Sequence, residues 1–254
     1  MQLRGKTALV TGGAHRVGRA IVLELASAGA NVVVNFNRSS ADAESTVAEA
    51  EALGVGAIAI RADVGDPDQV AAMAMAAGER FDGVDVLVNN AASFIRHPFP
   101  TDDLTGWHRC IDTLVHGPFY CANAIAPQML ASGEGAIVNI ADLSAFEPWP
   151  DFTGHGVGKS AVLGLTRQLA LELAPTVTVN AVVPGPALRP DDYDEERAAR
   201  TASSTLLDRW GTPGDMAKTT RFLIESSYIT GETITVDGGQ RFGHRKPSNQ
   251  RERA

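Results

Sequence analysis

Cysteine is scarce, with only Cys110 and Cys121 in 254 residues. They form neither a C-x-x-C pair nor a zinc-binding spacing, so a disulfide framework and a metal site are not expected, and free thiols in a reducing cytosol are. Long apolar runs are missing too. None reaches the roughly 18 residues of a membrane span. The opening M-Q-L-R-G-K-T-A-L-V-T holds no apolar stretch of signal-peptide length. A soluble cytoplasmic protein is therefore expected. Basic charge is not in excess: the net charge is −8 and the isoelectric point about 5.2. That balance argues against a nucleic-acid partner or an anionic membrane surface. No internal repeat, low-complexity linker or composition break divides the chain, which fits one domain of this length.

What is present is a large apolar fraction, 44% of residues, arranged in alternating short and long segments. Thr7–Thr11, Asn31–Val34, Ala57–Ile60, Val84–Val88, Ala136–Ile140, Val177–Ala181 and Thr233–Val236 read as strands, with amphipathic or Ala/Leu-rich helical stretches between them. Runs such as V-V-V and V-D-V-L-V suit strands buried on both faces. The expectation is a single-domain α/β protein: a doubly wound, Rossmann-type, parallel seven-stranded sheet with helices on both faces, spanning residues 1–240. Residues 184–214 hold four prolines and the charged D-D-Y-D-E-E-R patch, the composition of a mobile, irregular substrate lid. Residues 241–254 form a basic tail (Arg241, Arg245, Lys246, Arg251, Arg253), either a disordered end or an arm reaching a neighbouring subunit.

Thr11–Gly18, T-G-G-A-H-R-V-G, follows the first strand and opens a helix. A glycine turn there brings backbone N–H groups and a helix N-terminus up to a pyrophosphate. After the second strand comes N-F-N-R-S, Asn35–Ser39, with no acid before Asp42. A carboxylate at this point selects NAD, whereas an arginine accommodates a 2′-phosphate. Arg38 and Ser39, with His15, therefore point to NADP(H). Asp142 lies just past an apolar strand, where active-site residues of open α/β sheets gather. His155 and Lys159 are four apart, one helical turn, and so share a face.

These motifs resemble the short-chain dehydrogenase/reductase family, from T-G-x-x-x-G-x-G to I-T-G-E-T-I-T-V-D-G-G near the C-terminus. The resemblance implies cofactor contacts from Gly12, His15, Arg16 and Val17 at the glycine turn. It implies others from Asp63 and Val64 at the adenine, Asn90 at the adenine ribose, Lys159 at the nicotinamide ribose, and Pro184 and Gly185 at the nicotinamide ring. It also implies a homotetramer acting on a small molecule. Three departures, Arg16 for the middle glycine, Asp142 for the usual serine and Phe94 in N-N-A-A-S-F, resemble the pteridine-reductase branch. There the phenylalanine stacks a pterin, a match for a flat heteroaromatic ring. Arg16, Phe94, Asp142, His155 and Tyr193 are thus the candidate substrate residues.

Two further departures remain. Leu114 stands where the family carries an asparagine, and His155 where it carries the tyrosine acid. Tyrosine titrates between neutral and anionic forms, and a neighbouring ammonium stabilises the anion; histidine titrates between cationic and neutral forms, which Lys159 opposes and Asp142 favours. An Asp142–His155–Lys159 set is electrostatically self-consistent around a carbonyl or imine. The sequence supports an NADP(H)-dependent reductase in which Asp142 and His155 manage the proton. It equally accommodates a cofactor-binding sensor or partner subunit in which His155 marks lapsed chemistry, and a non-redox acid–base enzyme on the same scaffold.

Overall fold

A computed structural model describes residues 1–189 and 193–243. Seven parallel strands form one sheet in the order β3-β2-β1-β4-β5-β6-β7. They are β1 (Thr7–Val10), β2 (Asn31–Phe36), β3 (Ala57–Arg61), β4 (Val86–Asn89), β5 (Gly135–Ile140), β6 (Val177–Pro184) and β7 (Thr233–Val236). Each of the seven expected strands is present, with ends displaced by a few residues.

Alternate side chains of a strand leave opposite faces of the sheet, and the core divides accordingly. Ala8, Val10, Val32, Val34, Val86 and Val88 point to one side. There they meet α1 (Arg16–Ser27), α2 (Ser40–Ala52) and α8 (Pro213–Glu225) through Ile21, Leu25, Ala43, Met216 and Leu223. Leu9, Val33, Leu87, Ile137 and Val179 point to the other. They pack on α3 (Pro67–Phe81), α5 (Gly117–Ser132) and α6 (Thr153–Leu173) through Met73, Ile125, Met129 and Leu173. Fully burying a Leu, Ile or Met side chain contributes about 1.5–3 kcal/mol, so two dry faces hold the sheet as a rigid platform. Among the described residues, no helix is long and apolar enough to cross a membrane.

One polar thread crosses this platform. Asn89 and Asn139 are aligned neighbours on β4 and β5. The Asn89 amide donates to Asn139 Oδ1 (2.8 Å), Asn139 Nδ2 donates to Thr166 Oγ1 (2.9 Å), and that hydroxyl donates to the Val162 carbonyl on α6 (2.8 Å).

Helix ends follow local chemistry. Asp66 caps α3 by accepting from the N–H groups of Asp68 and Gln69, with Pro67 in the first turn. Between α4 (Thr105–Ile111) and α5 the chain makes one π-helical turn, Asp112–His116. Residues 184–214 depart from the irregular lid expected of them. Glu195–Ser204 form a helix, α7, capped by Asp194, which accepts from the Arg197 N–H, and carrying two acids in its first turn. Trp210 Nε1 fastens it by donating to the Ala198 carbonyl (3.0 Å). Pro190–Asp192 of that segment lie outside the described residues, as does all of the basic tail from residue 244 onward. Arg241, at the tail's start, rests on the domain, donating through its guanidinium to Thr235 Oγ1.

Candidate functional site

The strand order reverses between β1 and β4, and in open α/β sheets the crevice beyond the strand ends at such a reversal takes the ligand. The loops after β1, β2, β4, β5 and β6 meet there. Thr11 Oγ1 donates to the Val88 carbonyl and accepts from the N–H groups of Asn90 (2.9 Å) and Ala91 (3.0 Å). Asn90 Nδ2 returns two bonds, to the carbonyls of Thr11 (2.9 Å) and Gly12 (3.0 Å). The glycine turn is thus bolted to the loop after β4. Gly12 has φ +59°, which favours glycine, and a Cβ added to Gly18 would lie 2.2 Å from the Gly12 oxygen, so turn and helix touch only because Gly18 lacks a side chain. Arg16 begins α1 with φ +55°, keeping a glycine-like backbone where the resemblance expects glycine. His15 and Arg16 are exposed on the crevice side of the α1 N-terminus, whose first N–H groups have no intrahelical partners.

Beyond β2, Arg38 is exposed and Ser39 is half-buried at the start of α2. Asp63 is more heavily engaged than the sequence suggested. Its Oδ1 accepts from the Gly65 N–H (3.0 Å); its Oδ2 accepts from Asn37 Nδ2 (2.9 Å) and Arg109 Nη1 (2.7 Å). Burial opposes its ionisation, yet the Arg109 guanidinium and the Gly65 and Asn37 hydrogen bonds outweigh that and hold the carboxyl below its ordinary range. Val64 is buried beside it. Pro184 ends β6, and Gly185 donates to the Val236 carbonyl (3.0 Å). A Cβ on Gly185 would sit 2.6 Å from Asp237 Cα, so this loop lies hard against β7.

Asp142, His155 and Lys159 do come together. His155 Nε2 meets Asp142 Oδ2 at 2.7 Å, and His155 Nδ1 meets the Ser93 carbonyl at 2.9 Å. Asp142 Oδ1 accepts from the N–H and hydroxyl of Ser144. Lys159 Nζ donates to the Ile140 carbonyl (2.8 Å). Burial alone would raise the Asp142 pKa; the His155 hydrogen bond and the charges of Lys159 and His155 overcome it and bring it below the ordinary carboxylate value. Burial lowers the Lys159 pKa, and the Asp142 charge partly offsets this.

An aromatic wall encloses the imidazole. The Phe94 ring stacks on Phe152 (4.5 Å) and turns its edge toward His155 (4.9 Å), while Trp149 lies parallel to the imidazole at 6.1 Å. Phe94 is nonetheless 62% exposed, leaving ring surface for a ligand. The loop bearing Phe94 is clasped to the one bearing Trp149: Arg96 pairs with Asp151 (2.8 Å), and the His97 N–H donates to the Asp151 carbonyl (2.9 Å). Tyr193 lies elsewhere, edge-on to Trp210 and beneath the Arg197 guanidinium at 3.8 Å. Leu114 is buried in the π-helical turn against Gly158, filling the place of the expected asparagine with aliphatic volume.

Sequence reasoning missed Ser93, Ser144, Trp149, Phe152, Asn37 and Arg109. D-L-S after a strand is a capping pattern that could have shown Ser144, and P-W-P-D-F sits between two candidate residues. Arg109 reaches Asp63 across 46 residues, and no local pattern carries such a contact.

Comparison with known proteins places this geometry. Residues 12–241 match the family described as enoyl-(acyl carrier protein) reductase. The 3-oxoacyl-[acyl-carrier-protein] reductase of Staphylococcus aureus is 39% identical over 239 residues, covering 92% of this chain and 97% of that protein. The structure of FolM alternative dihydrofolate reductase 1 from Brucella canis, complexed with NADP, superposes with a TM-score of 0.89 at 32% identity, over 97% of this chain and 98% of its own. A blue fluorescent protein from a metagenomic library, in complex with NADPH, gives a TM-score of 0.86 at 36% identity, over 94% and 99%.

Proposed function

The chain belongs to the short-chain dehydrogenase/reductase family, and from that premise we propose that it is an NADP(H)-dependent reductase acting on a C=N or C=O bond of a small, flat, pterin-like substrate. The observation that carries this reading is the exposed face of Phe94 beside the hydrogen-bonded Asp142–His155 pair. A planar ring laid on that face brings its polarised bond to a proton source. The NADP complex of a dihydrofolate reductase and the NADPH complex of a second relative support the same cofactor and, in the first case, the same substrate class.

The crevice fits such a cofactor. The turn lies directly against α1, a Cβ on Gly18 striking the Gly12 oxygen at 2.2 Å, and the helix N-terminus there turns backbone N–H groups to the crevice. His15, Arg16 and Val17 would hold the pyrophosphate, Arg38 and Ser39 the 2′-phosphate, Asp63 and Val64 the adenine, and Asn90 the adenine ribose. Lys159, Pro184 and Gly185 would flank the nicotinamide and its ribose. The bound cofactor supplies a hydride. Arg16 would hydrogen-bond an oxo-substituted ring, Phe94 would stack it, and the buried Lys159 would keep positive charge beside Asp142 as the proton leaves.

NADPH is expected to bind at least tenfold more tightly than NADH, about 1.4 kcal/mol. Arg38→Ala should remove most of that preference while leaving NADH affinity nearly unchanged; fluorescence titration reads both. Equal affinities in the parent would refute the reading of the N-F-N-R-S loop. NADPH oxidation against pterins, cyclic imines and ketones then tests the reaction. Tight NADPH binding with no turnover across that panel would favour a sensor or partner subunit. A homotetramer is the expected assembly. An apolar groove lined by Leu114, Val115, Phe119, Ala161, Val162 and Leu165 supports it, since such surface suits a second copy of the chain.

A further inference from the structure

His155 replaces the family's acid, which makes it the obvious donor to the substrate. Its surroundings argue otherwise. The residue is 1% exposed. A carbonyl oxygen can only accept, so the 2.9 Å contact to Ser93 fixes a hydrogen on Nδ1. The other nitrogen is committed to Asp142 Oδ2 at 2.7 Å. No ring nitrogen is left for a ligand, and the rings of Phe94, Trp149 and Phe152 bar the imidazole from swinging out. Asp142 differs: its side chain keeps 20% exposure against 2% for that of His155, and it stands at the open end of β5.

Resting on the reductase reading above, we propose that Asp142 hands the proton to the substrate, and that His155 is a positioning residue behind it that stores the proton the two share. With Nδ1 protonated, one further proton lies between Nε2 and Oδ2, and the pair is neutral overall whichever atom holds it. As the substrate carbon accepts the hydride from the reduced nicotinamide, negative charge develops on the substrate oxygen or nitrogen. That atom takes a proton from Oδ2 as the shared proton leaves Nε2 for the carboxylate, the N–H electrons staying on the imidazole ring and the O–H electrons on the carboxylate. Asp142 ends as an anion, His155 as a neutral imidazole still bonded to Ser93, and the substrate has gained a hydride and a proton, two hydrogens and two electrons in all. The Lys159 ammonium compensates the new charge, and solvent restores the proton at the exposed edge of Asp142. The other titratable groups packed around the pair are Cys110 on α4, whose sulfur lies 3.9 Å from the Ser93 carbonyl, and His97 beside Gly154.

Two measurements test this. Nitrogen-15 NMR of the imidazole in the cofactor-free protein should show Nδ1 protonated and Nε2 bearing or sharing a hydrogen at neutral pH. In Asp142→Asn, Nε2 should become a bare acceptor of the new amide. In turnover, Asp142→Asn should lower kcat by roughly 10²–10⁴-fold, the usual worth of general acid catalysis. His155→Gln, whose amide can still donate to Asp142, should lose less. It should leave KM and NADPH affinity unchanged, the split expected of a residue that acts through Asp142. A bare Nε2 in the parent at neutral pH overturns the proposal without need of any variant. So does a His155→Gln loss in kcat equal to or larger than that of Asp142→Asn in an enzyme that otherwise turns over. A parent that oxidises no NADPH with any substrate overturns the reductase reading and the hand-off together, which sets that failure apart.

Discussion

Arg16 holds a backbone conformation, φ +55°, that costs an L-residue about 1–2 kcal/mol. The glycine turn dictates that conformation, and the guanidinium is what the protein gains for tolerating it. Arg16→Gly should therefore raise stability by about 1 kcal/mol in denaturant unfolding while weakening NADPH binding in titration. A variant that loses stability would show that Arg16 is held there by contacts of its own. The swap itself was legible in the sequence; that the turn would keep glycine's geometry was not, because φ is set by the packing of Gly12 against Gly18 and Asn90. His155 is similar. Its place one turn from Lys159 could be read from spacing, and its place opposite Asp142 followed from the family resemblance. Its inward orientation could not, since the Ser93 carbonyl that fixes it lies 62 residues away in sequence.

Strands were the most readable elements, because burial on both faces demands uninterrupted apolar runs that few other segments can carry. β6 outran its expected end at Ala181 because Ala181–Pro184 align with Thr233–Val236 of β7, a pairing invisible in either segment alone. In α7, the prolines and charges nearby suggested an irregular lid and hid an Asp194 cap on a helical run. The passage of the π-helical turn against α6 makes a sharper claim. A Cβ on Gly158 would lie 2.6 Å from Leu114 Cβ, and both residues are buried. Gly158→Ala should destabilise by about 1–3 kcal/mol through overpacking, despite alanine's better helix propensity. Thermal unfolding of the variant at or above the parent's midpoint would mean that α6 shifts freely, which would also displace His155 and Lys159.

For the whole molecule, the sheet order places the crevice, and an apolar groove lies between α5 and α6. Light scattering at micromolar concentration should report about four times the 26.7 kDa chain mass; a monomer would reject the tetramer. The thread from Asn89 through Asn139 to Thr166 bears on how such a molecule is made. Parallel strands can slip, and a shift of one residue turns every side chain to the wrong face. A slip of β5 on β4 would set the Asn89 amide against Val138 or Ile140 and strand buried polar groups, each at about 1–3 kcal/mol. Aliphatic neighbours alone discriminate poorly between such alignments. The paired amides act as a registration mark, setting one alignment of β5 on β4 apart from its neighbours.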